Sequence, residues 1–82
     1  MNYRIEFKPR AAKDLKALPA AQHRRVVARI EALKHDLTGD VRKLTNFTPE
    51  YRLRVGDYRV LFEVERNTVV VYRVLHRKEA YH

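Results

Sequence analysis

Two periodicities divide the chain. Between Pro9 and Leu37 apolar residues recur every three or four positions, and from Tyr51 onward they alternate one by one with polar residues. The first rhythm belongs to helices with one buried stripe, the second to strands with one buried face. A shorter alternation opens the chain, where Tyr3, Ile5 and Phe7 are interleaved with Arg4 and Glu6, and it predicts a strand that ends before Pro9. Proline suits the first turn of a helix because the amide it lacks has no intrahelical partner there. The pattern therefore predicts a first helix of about ten residues from Pro9, with Ala12, Leu15 and Leu18 on its apolar side and Pro19 closing it. A second helix follows from Ala20 to Leu37, in which Val26, Ile30, Leu33 and Leu37 are spaced by four, three and four. Two helices joined by so short a link are expected to pack as an antiparallel hairpin. Thr38-Gly39-Asp40 stops the second helix, with the glycine relieving a left-handed cap. Val41 to Pro49 has no clear period and reads as a short strand or loop.

In the last third, Gly56-Asp57 marks a two-residue hairpin turn. With those residues as the loop, Val55 pairs with Tyr58, and Arg54 stands opposite Arg59. A second turn at Arg66-Asn67 pairs Val64 with Val69 and Arg59 with Val74. Strict alternation then places Tyr51, Leu53, Val55, Tyr58, Val60, Phe62, Val64, Val69, Val71 and Leu75 on one face. The other face carries Arg52, Arg54, Arg59, Leu61, Glu63, Val70, Tyr72, Val74 and His76. Arg73 falls on the apolar side, an exception that an exposed edge or a bulge would explain. The expected fold is α+β: an antiparallel sheet of three to four strands, with an N-terminal strand and a helix hairpin packed on one face, residues 1–82 making a single domain.

Composition narrows the partners. A chain of 82 residues buries roughly 60% of its unfolded surface, so its core must be compact. Eighteen Lys and Arg against ten Asp and Glu give +8, which favours an anionic partner such as nucleic acid or an acidic protein. Each half of the chain carries nine basic and five acidic side chains, so a basic patch must be made by folding. No apolar run reaches the ~18 residues of a membrane-spanning helix, and the N-terminus lacks the apolar stretch of a signal peptide; a cytoplasmic protein without membrane contact is expected. The absence of cysteine removes disulfides, thiolate nucleophiles and zinc ribbons, and no histidine pair has metal-ligand spacing. No cofactor is implied.

The chemistry concentrates on the arginine face. Like charges directly opposite across a strand pair cost several tenths of a kcal/mol, so Arg54 facing Arg59, with Arg52 beside them, needs a reason. One reason is ordinary: long arginine stems splay over Val70 and Val74 on a solvated sheet. The other is a phosphate cradle, for which the planar, permanently charged guanidinium is well suited. His76 shares the face by parity and can both accept and donate a proton near neutrality. Arg77 and Tyr81 extend the same rim. Tyr72 and Tyr81 have faces on which bases could stack, although packing is the ordinary fate of Tyr72. Glu63 is expected to neutralise a neighbouring arginine.

The run YRLRVGDYRVLFEVERNTVVVYRVLHRKEAY, with the opening strand and the FKPRAAKDLKAL segment, resembles the RelE toxins of bacterial and archaeal toxin–antitoxin pairs. The resemblance covers nearly the whole chain. It implies a small basic protein that cleaves messenger RNA in the ribosomal A site without a metal, by attack of a ribose 2′-hydroxyl on the adjacent phosphate. It also implies a cognate acidic antitoxin and a toxin–antitoxin hetero-oligomer. The family's two basic sheet positions match Arg52 and Arg54, its phosphate-stabilising arginines match Arg59 and Arg77, and its tail tyrosine matches Tyr81; Lys78 adjoins this set as an RNA contact. The best-known member has lysines at the paired positions. Arginine does not give up its proton as lysine can, so proton transfer passes to His76, where several relatives also carry histidine, or to Tyr81. The ParE-like branch shares the fold but inhibits DNA gyrase, and its members generally lack the full arginine, histidine and tyrosine set. A noncatalytic RNA- or ribosome-binding module would need only the arginines.

Overall fold

The computed structural model describes residues 2–80. Strand β1 (Arg4–Phe7) is followed by helices α1 (Pro9–Lys16) and α2 (Ala20–Ala32), then by β2 (Asp40–Lys43), β3 (Tyr51–Val55), β4 (Tyr58–Glu65) and β5 (Thr68–His76). The strands form one sheet in the order β1-β5-β4-β3-β2. The α+β architecture is as expected, with two differences in the sheet. The unpatterned segment supplies an edge strand, β2, and β1 joins the other side by pairing parallel to β5.

Both helices cover one face. Ala11 and Leu15 of α1, Val26 and Ile30 of α2, and Leu33 just beyond it meet Leu53, Val55, Val60, Phe62, Val69, Val71 and Val74 of the sheet. Each fully buried side chain of this size contributes about 1.5–3 kcal/mol, so the core is concentrated where the helices cross β3, β4 and β5. The helices do not make their principal packing with one another as a hairpin; α1 lies mainly on β5 and α2 on β3. A hydrogen bond from His23 Nδ1–H to the Leu15 carbonyl, 2.8 Å, ties them together.

Helix α2 stops at Ala32, short of the expected Leu37. The Lys34 carbonyl, which would accept the amide of residue 38 in a longer helix, instead accepts the Tyr3 amide at 2.9 Å. Thr38 Oγ1 donates to the Ala32 carbonyl at 2.8 Å, satisfying one of the open groups at the helix end. The left-handed residues of the stop are Asp36 and Leu37, with φ of 61° and 56°, upstream of Gly39.

The hairpins decide which side chains share a face. Val55 pairs with Tyr58, Arg54 with Arg59 and Val64 with Val69, as the turns predict. Between Leu61 and Phe62 of β4, however, the partner on β5 jumps from Arg73 to Val71. Tyr72 is the extra residue of a β-bulge, and alternation on β5 inverts beyond it. Val69 and Val71 enter the core before the bulge and Val74 after it, a spacing of two and then three. Arg59 consequently pairs with Leu75 instead of Val74. Val74 and His76 pass to the helix side, and Arg73 and Leu75 to the other.

The bulge coincides with the end of β1. That strand pairs with β5 only as far as Val71, and the Lys8 amide closes the contact on the Val71 carbonyl at 2.8 Å. Beyond it the edge of β5 is taken up by α1: Asp14 accepts the Val74 amide at 3.0 Å and the Arg73 Nε at 2.8 Å. The misfit at Arg73 is thus resolved by a bulge and an edge together.

Candidate nucleic-acid interface

The face away from the helices is formed by cross-strand neighbours of β2, β3 and β4. Asp40 pairs with Arg54, Arg42 with Arg52, Arg52 with Leu61 and Arg54 with Arg59. Directly paired residues of an antiparallel ladder point the same way, so these four arginines are grouped on one surface. They are not equivalent. Arg52 is only 7% exposed and its Nη2 lies 3.7 Å from Asp40 Oδ1. A buried cation needs such a partner, and Arg52 is therefore committed to the protein while Arg54 is open to solvent. Leu61 and Val70 are also buried on this side, as expected beneath long charged side chains. Glu63, expected to neutralise an arginine, accepts the Glu50 amide at 2.8 Å and clips the β2–β3 loop to the sheet.

The remaining basic groups gather at the tip of the β3–β4 hairpin. Gly56 has φ of +58°, the left-handed conformation that a two-residue turn demands and glycine adopts without cost. Arg59 Nη1 donates to the Gly56 carbonyl at 2.9 Å and to the Tyr58 carbonyl at 3.0 Å, so its guanidinium is held at the turn with donors to spare. The segment after β5 folds onto the same turn. The Arg77 amide donates to the Asp57 carbonyl at 2.7 Å, and Arg77 Nε is 3.9 Å from Asp57 Oδ1. Helix α2 brings Arg25 to Gly56 from the core side. Arg25 carries no sequence signal beyond a position on a basic helix, and periodicity does not select it.

His76 reaches this tip from the face opposite to the one parity assigned. It pairs with Tyr58, whose ring it meets edge-on at 5.6 Å. It also borders a cavity of about 320 Å³ with Asp14, Leu18, Pro19, Arg73 and Glu79. The cause is the bulge at Tyr72, which inverts alternation four residues upstream. The Lys78 amide donates to His76 Nδ1 at 3.2 Å. That contact occupies Nδ1 as an acceptor, so the neutral ring carries its proton on Nε2. Lys78 itself is exposed. Tyr72 is half-buried, with the Lys8 ammonium 5.4 Å from its ring centre. Tyr81, the tail tyrosine of the sequence reading, lies outside the described residues.

The expected site is therefore brought together only in part. Arg54, Arg59, Arg77, His76 and Lys78 surround the hairpin tip, while Arg52 sits beside them in an internal ion pair. Asp14 is a residue that sequence reasoning passed over. Its role depends on a strand edge some 60 residues away, and an aspartate inside a helix gives no hint of that.

The same architecture recurs in known proteins. A family model described as ParE toxin of type II toxin-antitoxin system, parDE, matches residues 5–81. Toxin RelE3 of Methanocaldococcus jannaschii is 36% identical over 83 residues, which cover 95% of this chain and 94% of that protein. The crystal structure of a RelB-RelE antitoxin-toxin complex from Methanococcus jannaschii superposes with a TM-score of 0.77 at 36% identity, covering 93% of this chain and 94% of the matched one. The toxin-antitoxin complex RelBE2 from Mycobacterium tuberculosis gives a TM-score of 0.81 at 28% identity, covering 94% and 100%.

Proposed function

This chain belongs to the RelE/ParE family of type II toxin–antitoxin toxins, and on that premise we propose that it is a ribosome-dependent, metal-independent endoribonuclease that inhibits translation by cutting messenger RNA in the ribosomal A site. The observation that carries the reading is the convergence of Arg59, Arg77 and His76 on the Gly56-Asp57 turn. Two guanidiniums and one proton-transfer group at a single rim are what cleavage of a phosphodiester by its own ribose requires.

In the proposed reaction the 2′-hydroxyl oxygen attacks the adjacent phosphorus and the bond to the 5′-oxygen breaks. The products are a 2′,3′-cyclic phosphate and a free 5′-hydroxyl; no water or metal takes part. Arg59 and Arg77 stabilise the charge that grows on the phosphorane oxygens, a role typically worth 10² to 10³ in rate for each preorganised donor. Proton transfer from the 2′-hydroxyl to the departing 5′-oxygen falls to His76 or Tyr81, and Tyr81 is also the candidate for stacking a base. Arg54 and Lys78 hold the RNA backbone, with Arg52 able to join only by leaving Asp40. A cognate acidic antitoxin of the RelB type is the expected partner, as in the complexes of the related toxins.

The test is to induce the chain in cells and map new 5′ ends on messenger RNA. Codon-phased cuts within translated frames, lost in Arg59→Ala and Arg77→Ala, are the expected result. The ParE description of the matched family favours one second reading, gyrase inhibition. Intact messages with stalled replication would select it over the nuclease.

A further inference from the structure

Arg25 of α2 is a charged residue that the proposed reaction leaves unused. Its guanidinium is seated on Gly56: a Cβ built on that glycine would lie 3.0 Å from Nη1 and 3.3 Å from both Cζ and Nη2. The missing side chain is what gives the group its place. The carbonyl of the same glycine accepts Arg59 Nη1 at 2.9 Å, and the carbonyl of the next residue accepts the Arg77 amide at 2.7 Å. Arginines from α2, β4 and the segment after β5 thus meet at a turn of two residues. The carboxylate present is that of Asp57, which is 64% exposed and 3.9 Å from Arg77 Nε. Among the described residues no carboxylate pairs with Arg25 or Arg59. The Arg59 guanidinium is held by backbone carbonyls, that of Arg25 rests on a glycine, and that of Arg77 is anchored through its main chain beside one loosely placed acid, so the charge of the site is left to an external anion.

We propose that Arg25 completes, with Arg59 and Arg77, a phosphate-binding site at the hairpin tip, and that it grips a phosphate of the RNA strand next to the one that is cleaved. Arg59 stands on the open face and Arg25 comes from the helix side, so a strand crossing the tip runs past both. The inference rests on the ribonuclease reading and adds a residue and a strand path to it.

The probe is a short single-stranded oligoribonucleotide with methylated 2′-hydroxyls, which the protein can bind but not cleave, titrated at several salt concentrations. Arg25→Ala is expected to weaken binding about tenfold and to lower the slope of log K against log salt by about 0.7, one phosphate contact on a single strand. Arg25→Lys should keep the slope, since charge without the flat guanidinium still meets a phosphate; a residue that only packs on Gly56 would not be rescued this way. Arg24→Ala, a change of equal charge on the same helix, should lose less than about twofold. Equal losses in Arg24→Ala and Arg25→Ala would overturn the site in favour of diffuse attraction. If the wild type cuts message in cells while Arg25→Ala matches its affinity and slope, the Arg25 assignment falls and the ribonuclease reading stands. If the wild type neither binds nor cuts RNA, both fall.

Discussion

Replacing Asp14 with alanine should destabilise the fold by about 2–4 kcal/mol, although no pattern in the sequence marks that residue as structural. Its carboxylate accepts three donors: Arg73 Nε at 2.8 Å, Arg73 Nη2 at 3.3 Å and the Val74 amide at 3.0 Å. The side chains are 15% and 31% exposed for Asp14 and Arg73, so the pair is screened less than the surface pairs that contribute under about 1 kcal/mol. Hydrogen bonds to a charged group contribute roughly 1.5–3 kcal/mol each, and the alanine variant loses them while leaving a guanidinium and an edge amide without their partner. Water can reach part of the vacated site, which limits the loss. Asp14→Asn keeps an acceptor for the Val74 amide and loses the charge, so it should fall near the middle of that range. Urea unfolding measures both, as a shift in midpoint at constant m-value. A double-mutant cycle with Arg73→Ala should show coupling of about 1–2 kcal/mol. A loss below about 0.5 kcal/mol in Asp14→Ala, the range of an ordinary surface substitution, would refute the argument that this carboxylate holds the β5 edge. The hydrogen bonds that Arg73 donates to Asp14 raise the Arg73 pKa above its usual value. A raised pKa in the fold contributes stability that is fully present below the unfolded value and lost only as pH climbs through the folded one. Arg73 therefore introduces no pH dependence at neutral or acid pH.

Phe62→Ala should cost about 3–5 kcal/mol, because Phe62 is fully buried and stacks on Tyr51 at 5.4 Å; calorimetry should find the variant close to unfolded at physiological temperature. Gly56→Ala should cost about 1–2 kcal/mol from its φ of +58° alone, and the melting curve should show that loss in full even if the flexible Arg25 moves aside. His76→Ala should lower the cleavage rate of ribosome-bound message by about 10² or more while leaving affinity for uncleavable RNA near the wild-type value. An unchanged rate would return proton transfer to Tyr81.

The sheet follows the alternation of its sequence where the geometry is local. Gly56-Asp57 joins two strands whose apolar alternation is unbroken on both sides, so the turn alone sets Arg54 opposite Arg59. The same holds for the Arg66-Asn67 turn, which sets Val64 opposite Val69. Beyond those pairs strict parity fails along β5, where the register shifts opposite Leu61 and Phe62. Val69, Val71 and Val74 are all apolar, and no residue type at Tyr72 announces that the period slips there.

Local chemistry therefore determined much of this protein. The two helices follow from apolar spacing and from Pro9 and Pro19, the strands from alternation, the basic character from composition, and the turn that carries the candidate site from glycine's freedom at φ > 0. Tertiary structure decided what depends on distant groups. Tyr3 takes the Lys34 carbonyl and ends α2 early, and Asp14 takes the Val74 amide where β1 has run out. Burial commits Arg52 to Asp40, and the bulge carries His76 to the other side of the sheet. Side-chain periodicity is a property of a chain read a few residues at a time, whereas an unpaired amide or a buried charge is satisfied by whatever the fold brings near it. Arg52, Arg54, Arg59 and Arg77 could be found by the first kind of reading, whereas Arg25 and the division of these arginines into buried, pinned and free groups emerge only by the second.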